Sequence, residues 1–374
     1  NTFELGISMG WQRLLPGFVL SRFSEGVFGF HGNCAYLPFG RGRSPLNWSI
    51  ILGDTRFNLN LFRNRLNFDI SYYYKLTTDL LLERPVPHTT GFTSVMDNIG
   101  KVANQGLDFM VNTVNIDTKD FGWSSTLNFN YNKNEIKKLG ENDEDILTGP
   151  WFISGNLVIL RKGESLGSFW GYKREGIWGE DEAEEAKAAG AGVGQPKRSK
   201  DREILGKGLP DVTGSFINNF RYKNFDLTVD LQFVLGVDVY QQFLHSTEDR
   251  FGIANALSSV LSEGWTPANT NTMIPALYSQ NSQPDSHWVA NGSYLRANLI
   301  QLGYTFEPSV LKALHLGSLR AYFSVNNAFC ITSKDFKGYD PEGTSWNTDQ
   351  WGQNIMFFQY PKPRTYTLGV NVSF

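Results

Sequence analysis

Cysteine is nearly absent from this 374-residue chain: Cys34 and Cys330 stand far apart and in no metal-ligand spacing. They could pair only if the fold brought them together, and two free thiols are equally compatible with the sequence. Histidine is also scarce. His31, His88, His245, His287 and His315 form no His-x-x-x-His pair, and neither a G-x-S-x-G elbow nor a phosphate-cradling P-loop is present. No nucleophile can be paired with a base, so the residues give no enzyme chemistry. Neither sign of charge dominates: the net charge of −3 gives no reason to expect a nucleic-acid partner. Long apolar runs are missing, and none approaches the ~18–20 residues of a membrane-spanning helix. That absence does not exclude a membrane, because a barrel strand carries apolar residues only at alternate positions. No signal peptide opens the chain, although an exported protein requires one, so residue 1 is expected not to be the natural start.

What the chain has is alternation. In the last ten residues Tyr366, Leu368, Val370, Val372 and Phe374 share one face of an extended strand, and Thr365, Thr367, Gly369, Asn371 and Ser373 share the other. A terminal strand of this kind, ending on an aromatic, suits the closing strand of a membrane β-barrel. Phe225, Leu227, Val229, Leu231, Phe233 and Leu235 alternate with Asp226, Thr228, Asp230 and Gln232. Similar ribbons occur near residues 3–11, 68–74, 127–131, 300–306 and 319–326. One soluble alternative is a β-sandwich, but its second face would be packed. Here that face is almost uniformly Asn, Asp, Thr, Ser and Gln, which suits a wet interior.

About ten strands are expected, at 2–12, 48–62, 66–82, 101–116, 122–137, 213–222, 225–235, 293–306, 318–327 and 363–374. Residues 13–47 lack periodicity and read as a loop. Only Arg63-Asn64-Arg65, Asp117 to Phe121 and Lys223-Asn224 separate the closely spaced pairs, whereas 83–100, 138–212, 236–292 and 328–362 are long connections. Short turns alternating with long loops are expected of an outer-membrane barrel with periplasmic turns and extracellular loops. The sequence therefore predicts an all-β, antiparallel transmembrane β-barrel, here a partial one.

Several segments together resemble SusC/RagA-type TonB-dependent outer-membrane transporters of the Bacteroidota. They are Tyr72-Tyr73-Tyr74-Lys75-Leu76-Thr77-Thr78-Asp79-Leu80-Leu81, Asn98-Ile99-Gly100-Lys101-Val102-Ala103-Asn104-Gln105-Gly106 and Gly167-Ser168-Phe169-Trp170-Gly171-Tyr172 with Gly176-Ile177-Trp178. Leu205-Gly206-Lys207-Gly208-Leu209-Pro210-Asp211, Phe220 to Leu227 and Tyr360 to Tyr366 complete the set, which covers roughly residues 55–374 in the family's order. The resemblance implies a barrel of about 22 strands with a plugged lumen, energised through TonB. It implies import of oligosaccharides or peptides with a SusD-like surface lipoprotein, and insertion into the outer membrane by its assembly machinery. The chain has no length for a plug, so it is expected to be a fragment carrying the C-terminal portion of the barrel, unable to transport alone. A passive porin and a secreted adhesive β-protein are the alternatives from other classes.

Many relatives carry a calcium-like stretch before the Leu-Gly-Lys-Gly-Leu-Pro-Asp segment. Here Gly194 to Glu203 holds four cations and two carboxylates, so no metal or other cofactor is expected. Residues 180–189 predict a short solvated helix ended by Gly190. Substrate is expected to meet aromatic side chains in the long loops, and the candidates are Trp151, Trp170, Tyr172, Trp178, Trp265, Trp288, Trp346 and Trp351. The same tryptophans could instead pack loop on loop or hold a partner lid.

Overall fold

The computed structural model describes residues 4–9, 31–39, 48–85, 89, 91–92, 94–140, 142–148, 156–249, 254–277, 283–342 and 353–373. The strands are β1 (Glu4–Met9), β2 (His31–Phe39), β3 (Trp48–Leu61), β4 (Leu66–Pro85), β5 (Ser94–Asp117) and β6 (Phe121–Leu139). Then come β7 (Ile146–Thr148), β8 (Val158–Leu160), β9 (Ser168–Ile177), helix α1 (Ala183–Ala188), β10 (Pro196–Lys207), β11 (Val212–Tyr222), β12 (Phe225–Leu235) and β13 (Asp238–Gln241). The chain continues through α2 (Ser258–Glu263), β14 (Val289–Asn291), β15 (Tyr294–Thr305), α3 (Pro308–Leu314), β16 (Ser318–Thr332), β17 (Ile355–Met356) and β18 (Thr365–Ser373).

An 11-stranded antiparallel sheet runs β1-β3-β4-β5-β6-β11-β12-β15-β16-β18, with β2 also paired to β3. Among the described residues no pairing joins its two edges, so the sheet is an open barrel wall. Antiparallel pairing puts the short connections at one end. Backbone bonds tie them to their neighbours there: Lys223 N donates to Asp120 O and Thr305 N to Asn224 O.

Register turns the alternation into rows. Phe121, Tyr222, Phe225 and Tyr304 lie side by side across four strands. Trp123, Phe220, Leu227, Leu302, Phe323 and Leu368 form the next outward row. Tyr222, Phe225, Leu302, Phe323, Leu368 and Val370 are all exposed. A large apolar face left uncovered by protein is what a lipid-facing wall requires. The ten steps from Val212 to Tyr222, at about 3.4 Å each and inclined by about 40°, give a band about 25 Å tall, the height of an outer-membrane apolar belt.

Three expectations need correction. The stretch read as a loop over 13–47 contains β2, paired with β3 from His31↔Arg56 to Phe39↔Trp48. Its sequence, His-Gly-Asn-Cys-Ala-Tyr-Leu-Pro-Phe, does not alternate apolar with polar residues and so lacks the period-two signal, and Pro38 is tolerated because the strand lies at an edge. The expected loop at 83–100 is largely strand, with Glu83 opposite Met96 and Pro85 opposite Ser94. β16 likewise runs on to Thr332 rather than ending near 327. Strands that project beyond the bilayer meet water on both faces, so nothing forces alternation there.

The long connections 138–212, 236–292 and 328–362 also hold regular structure. A four-stranded sheet ordered β10-β9-β8-β7 and a three-stranded sheet ordered β14-β13-β17 stand at the far end of the wall from the short turns. Leu157, Val158, Phe169, Tyr240, Leu244, Trp288 and Ile355 form their shared apolar core. Residues from all three connections contribute, so the loops make one packed cap. The expected helix is present as a short 3-10 turn, Glu180–Glu182, followed by α1, and Gly190 at φ +74° lets the chain leave it.

Candidate functional site

The inner face of the wall is a lattice of polar side chains built from register. Asn128 Nδ2 donates to Ser215 Oγ at 3.0 Å, Thr126 Oγ1 to Asn112 Oδ1 at 2.7 Å, and Asn298 Nδ2 to Asp230 Oδ2 at 2.9 Å. Arg320 Nε donates to Asp226 Oδ1 at 3.0 Å, and Asn130 donates to Asp108. Tyr73 on β4 reaches across β5, its hydroxyl donating to Asn132 Oδ1 on β6 at 3.1 Å. This reach requires Gly106, whose missing Cβ would collide with the Tyr73 ring and the Tyr131 carbonyl. The result is a hydrated, mostly neutral surface able to hydrogen-bond a passing polar solute.

Cap and wall meet at several places, among them an apolar cluster in which Val102, Ile136 and Leu139 of the wall pack on Ile146 and Leu160 of the cap. Buried Arg296 on β15 donates to Asp340 Oδ2 at 3.0 Å and to Asn327 Oδ1 at 2.6 Å, anchoring the last connection. A cleft of about 370 Å³ opens where β6 leaves β11, between the Asn132 N–Asp211 O and Ile136 N–Glu164 O bonds. Lys133, Asn134, Lys207 and Pro210 are among its lining residues.

Inside the cap, Arg174 is buried with both of its acidic partners. Its Nε donates to Asp285 Oδ2 at 3.0 Å, Nη1 donates to the Met273 carbonyl at 2.8 Å, and Nη2 pairs with Asp249. Arg198 Nε reaches the same Asp285 oxygen at 3.0 Å. Burial opposes the guanidinium charge, but the two carboxylates outweigh it and hold Arg174 above its usual range. Beside it Glu248 accepts from His287 Nε2 at 2.9 Å and from Lys337 Nζ at 2.7 Å. Burial pushes this carboxyl up. The hydrogen bond from His287 and the Lys337 ammonium prevail, and Glu248 lies below the usual carboxylate range. An ionised carboxylate accepts only, so His287 carries its proton on Nε2.

The aromatic candidates divide. Trp288 is fully buried in the cap core, and Trp178 and Trp265 are buried too. Lys197 Nζ lies 4.6 Å from the Trp178 ring centre. Trp170 and Tyr172 are half-buried on one face of β9, opposite the core-facing Phe169. Arg161 lies 4.9 Å over Trp170 and Arg202 lies 5.0 Å over Tyr172. Trp151, Trp346, Trp351 and Phe374 fall outside the described residues. Tyr366, Leu368, Val370 and Val372 share the outer face of β18, opposite Val325, Phe323, Ala321 and Leu319.

Residues 196–207, near the absent calcium-like stretch, are strand β10, and their charges are used in pairing, as with Arg198 to Asp285 and Lys197 to Glu182. Among the described residues no group of three or more His, Cys, Asp or Glu is placed to hold a metal. Sequence reasoning missed Arg174, Asp249 and Asp285. They lie 75 and 111 residues apart, and no local motif announces them.

A bilayer-height apolar belt outside, a polar lattice inside and a folded cap at the end opposite the short turns define an outer-membrane β-barrel wall. No protein-family profile matches the chain. The chain is 34% identical to TonB-dependent receptor P3 of Formosa agariphila over 86% of its own length and 34% of that protein's. It is 30% identical to TonB-dependent receptor SusC of Bacteroides thetaiotaomicron over 85% of its length and 31% of SusC's. In structure it is similar to a chain of the RagAB peptide transporter, with a TM-score of 0.71 at 22% identity, covering 92% of this chain and 40% of that one. The chain belongs to the SusC/RagA-type TonB-dependent receptors of the bacterial outer membrane, and it spans about a third of the length of the curated relatives it matches.

Proposed function

We propose that this chain is the C-terminal portion of the wall, with its extracellular cap, of a TonB-dependent nutrient importer. The polar inner face supports this reading most directly. Neutral amides and hydroxyls in register offer replaceable hydrogen bonds along a wet passage, and the rigid outer belt holds the passage in the bilayer. TonB would supply the energy, acting on a plug outside this chain, and a SusD-like surface lipoprotein would close over the cap. Cargo would be oligosaccharide or peptide, since both present polar groups for the lattice and faces for aromatic stacking. The role is transport rather than catalysis. Trp170 and Tyr172, half-buried with cationic partners, are the described aromatics best placed for cargo. Trp178, Trp265 and Trp288 instead hold the cap together.

The test is uptake of labelled oligosaccharide and peptide pools by cells carrying the intact gene, its deletion, or a Trp170→Ala/Tyr172→Ala double variant, with and without TonB. Saturable uptake that needs both gene and TonB, with weaker apparent affinity in the double variant, is expected. Uptake that persists without TonB would favour a passive porin.

A further inference from the structure

Among the described residues the short-turn end has one departure from its otherwise tight turns. Between β15 and β16 the chain forms the seven-residue helix α3. Glu307 precedes it, Pro308 occupies its first turn, and His315 ends it in the left-handed region at φ +56°. Val310, Leu311 and Leu314 recur at i, i+1 and i+4 and so share one stripe, while Ser309 and Lys312 lie off it. Val310 and Leu314 are exposed, Leu314 by 53%. A free helix of this length is not stable in water, and leaving its apolar stripe wet would add to the cost.

Its position suggests what covers it. The segment leading into α3 carries Tyr304 and Phe306, whose rings meet edge to face at 5.1 Å, and Tyr304 packs on Phe225 at 4.8 Å. Tyr304 and Phe225 belong to the outward aromatic row that closes the lipid-facing belt at this end. Phe306 is bonded to Leu319 at the start of β16, so the helix begins where that row ends. Aromatics placed at this level mark the boundary between hydrocarbon and headgroups. The exposed stripe is thus continuous with a surface already committed to lipid.

We propose that α3 is an interfacial anchor: its Val310/Leu311/Leu314 stripe lies in the headgroup–acyl boundary of the periplasmic leaflet, with Lys312 toward the phosphates. The occupant is glycerophospholipid, and the proposal rests on the outward assignment of the aromatic row. Such a helix seats the wall vertically in the bilayer through apolar burial plus one cation at the phosphate level.

The experiment places a nitroxide label at Val310→Cys, Leu314→Cys or Lys312→Cys, each in a Cys34→Ser/Cys330→Ser background of the protein in isolated outer membranes. Leu302→Cys on the exposed outer wall serves as the lipid reference. Collision with oxygen is compared with collision with a water-soluble nickel chelate. The labels at 310 and 314 should show an oxygen-to-nickel ratio about tenfold above that at 312, approaching the Leu302 value. Equal ratios at all three helix positions would overturn the proposal, because the helix would then lie in water. Suppressed collision with both reagents at 310 and 314 would also overturn it, and would point to a covering protein. If the Leu302 label itself behaves as water-exposed, the outward assignment fails along with the anchor. All labelled positions are on exposed side chains or the helix surface, and heat-modifiable migration checks that each variant has folded.

Discussion

Replacing Arg174 by Met removes one guanidinium from the centre of the cap while nearly conserving side-chain length. The side chains of Arg174 and its partners Asp249 and Asp285 are each no more than 1% exposed. In the variant, Asp285 retains Arg198, but Asp249 loses its guanidinium and the Met273 carbonyl loses its donor. Breaking a buried ion pair from one side costs about 3–5 kcal/mol. Each 1.4 kcal/mol is a factor of ten, so the open cap should become at least about 100-fold more populated. Cleavage by added protease follows that population when opening and closing are fast. The assay is limited proteolysis of outer-membrane vesicles, following cleavage within residues 236–292 while the barrel band remains heat-modifiable. Arg161→Met is the control, because its pair with Asp145 is similar in kind but more than a third exposed on both sides. Such a pair contributes about 0–1 kcal/mol, and cleavage should change by less than about fivefold. If Arg174→Met accelerates cleavage no more than Arg161→Met does, the buried network does not hold the cap closed.

The remaining predictions concern the wall and the acid response of the cap. Asn218 lies on the lipid side of β11, buried under the stacked Trp123 and Phe220 rings, and its Oδ1 accepts from Trp123 Nε1 at 3.1 Å and Ser125 Oγ at 2.7 Å. Asn218→Leu should destabilise the wall by about 1–2 kcal/mol, and a double-mutant cycle with Ser125→Ala in vesicle unfolding should show coupling of about 1 kcal/mol. Additive effects would show that the two groups do not depend on each other. Gly106→Val should lower the yield of heat-modifiable protein, at a cost of about 1–3 kcal/mol, with partial recovery from Tyr73→Ala. Because Glu248 is held below the usual carboxylate range, its contribution is complete above about pH 4.3 and is lost as pH falls through its lowered value. Hydrogen exchange across residues 283–288 should rise on that acid limb. Glu248→Gln should show reduced protection already at neutral pH and a flatter acid dependence.

The wall was legible where the environment imposes a rule on the chain. Between Phe225 and Leu235 lipid on one side and water on the other force period two, and the register with β11 and β15 follows that pattern. The rule lapses above the bilayer. Hence β4 and β5 continue pairing through Glu83↔Met96 although nothing in their sequence alternates strongly there. β2 escaped notice for a related reason, since its sequence does not alternate and backbone pairing to β3 is what defines it. The cap was opaque because its determinants are non-local. Phe169, Tyr240, Trp288 and Ile355 meet from three connections, and Arg174 finds its carboxylates far down the chain. Tryptophan count alone could not separate Trp288, which packs in the core, from Trp170, which is half-buried on the opposite face of β9 from Phe169.

The cap's composition also ties its closure to the state of the wall. Arg174 comes from the first long connection and both carboxylates that neutralise it from the second, while Ile355 comes from the third. No connection alone can bury its share of the core or quench that cation. The cap can seal only once β6, β11, β12, β15 and β16 stand in order and bring the three connections together. Completion of the outer lid is in this way made to report that the ribbons beneath it are in order.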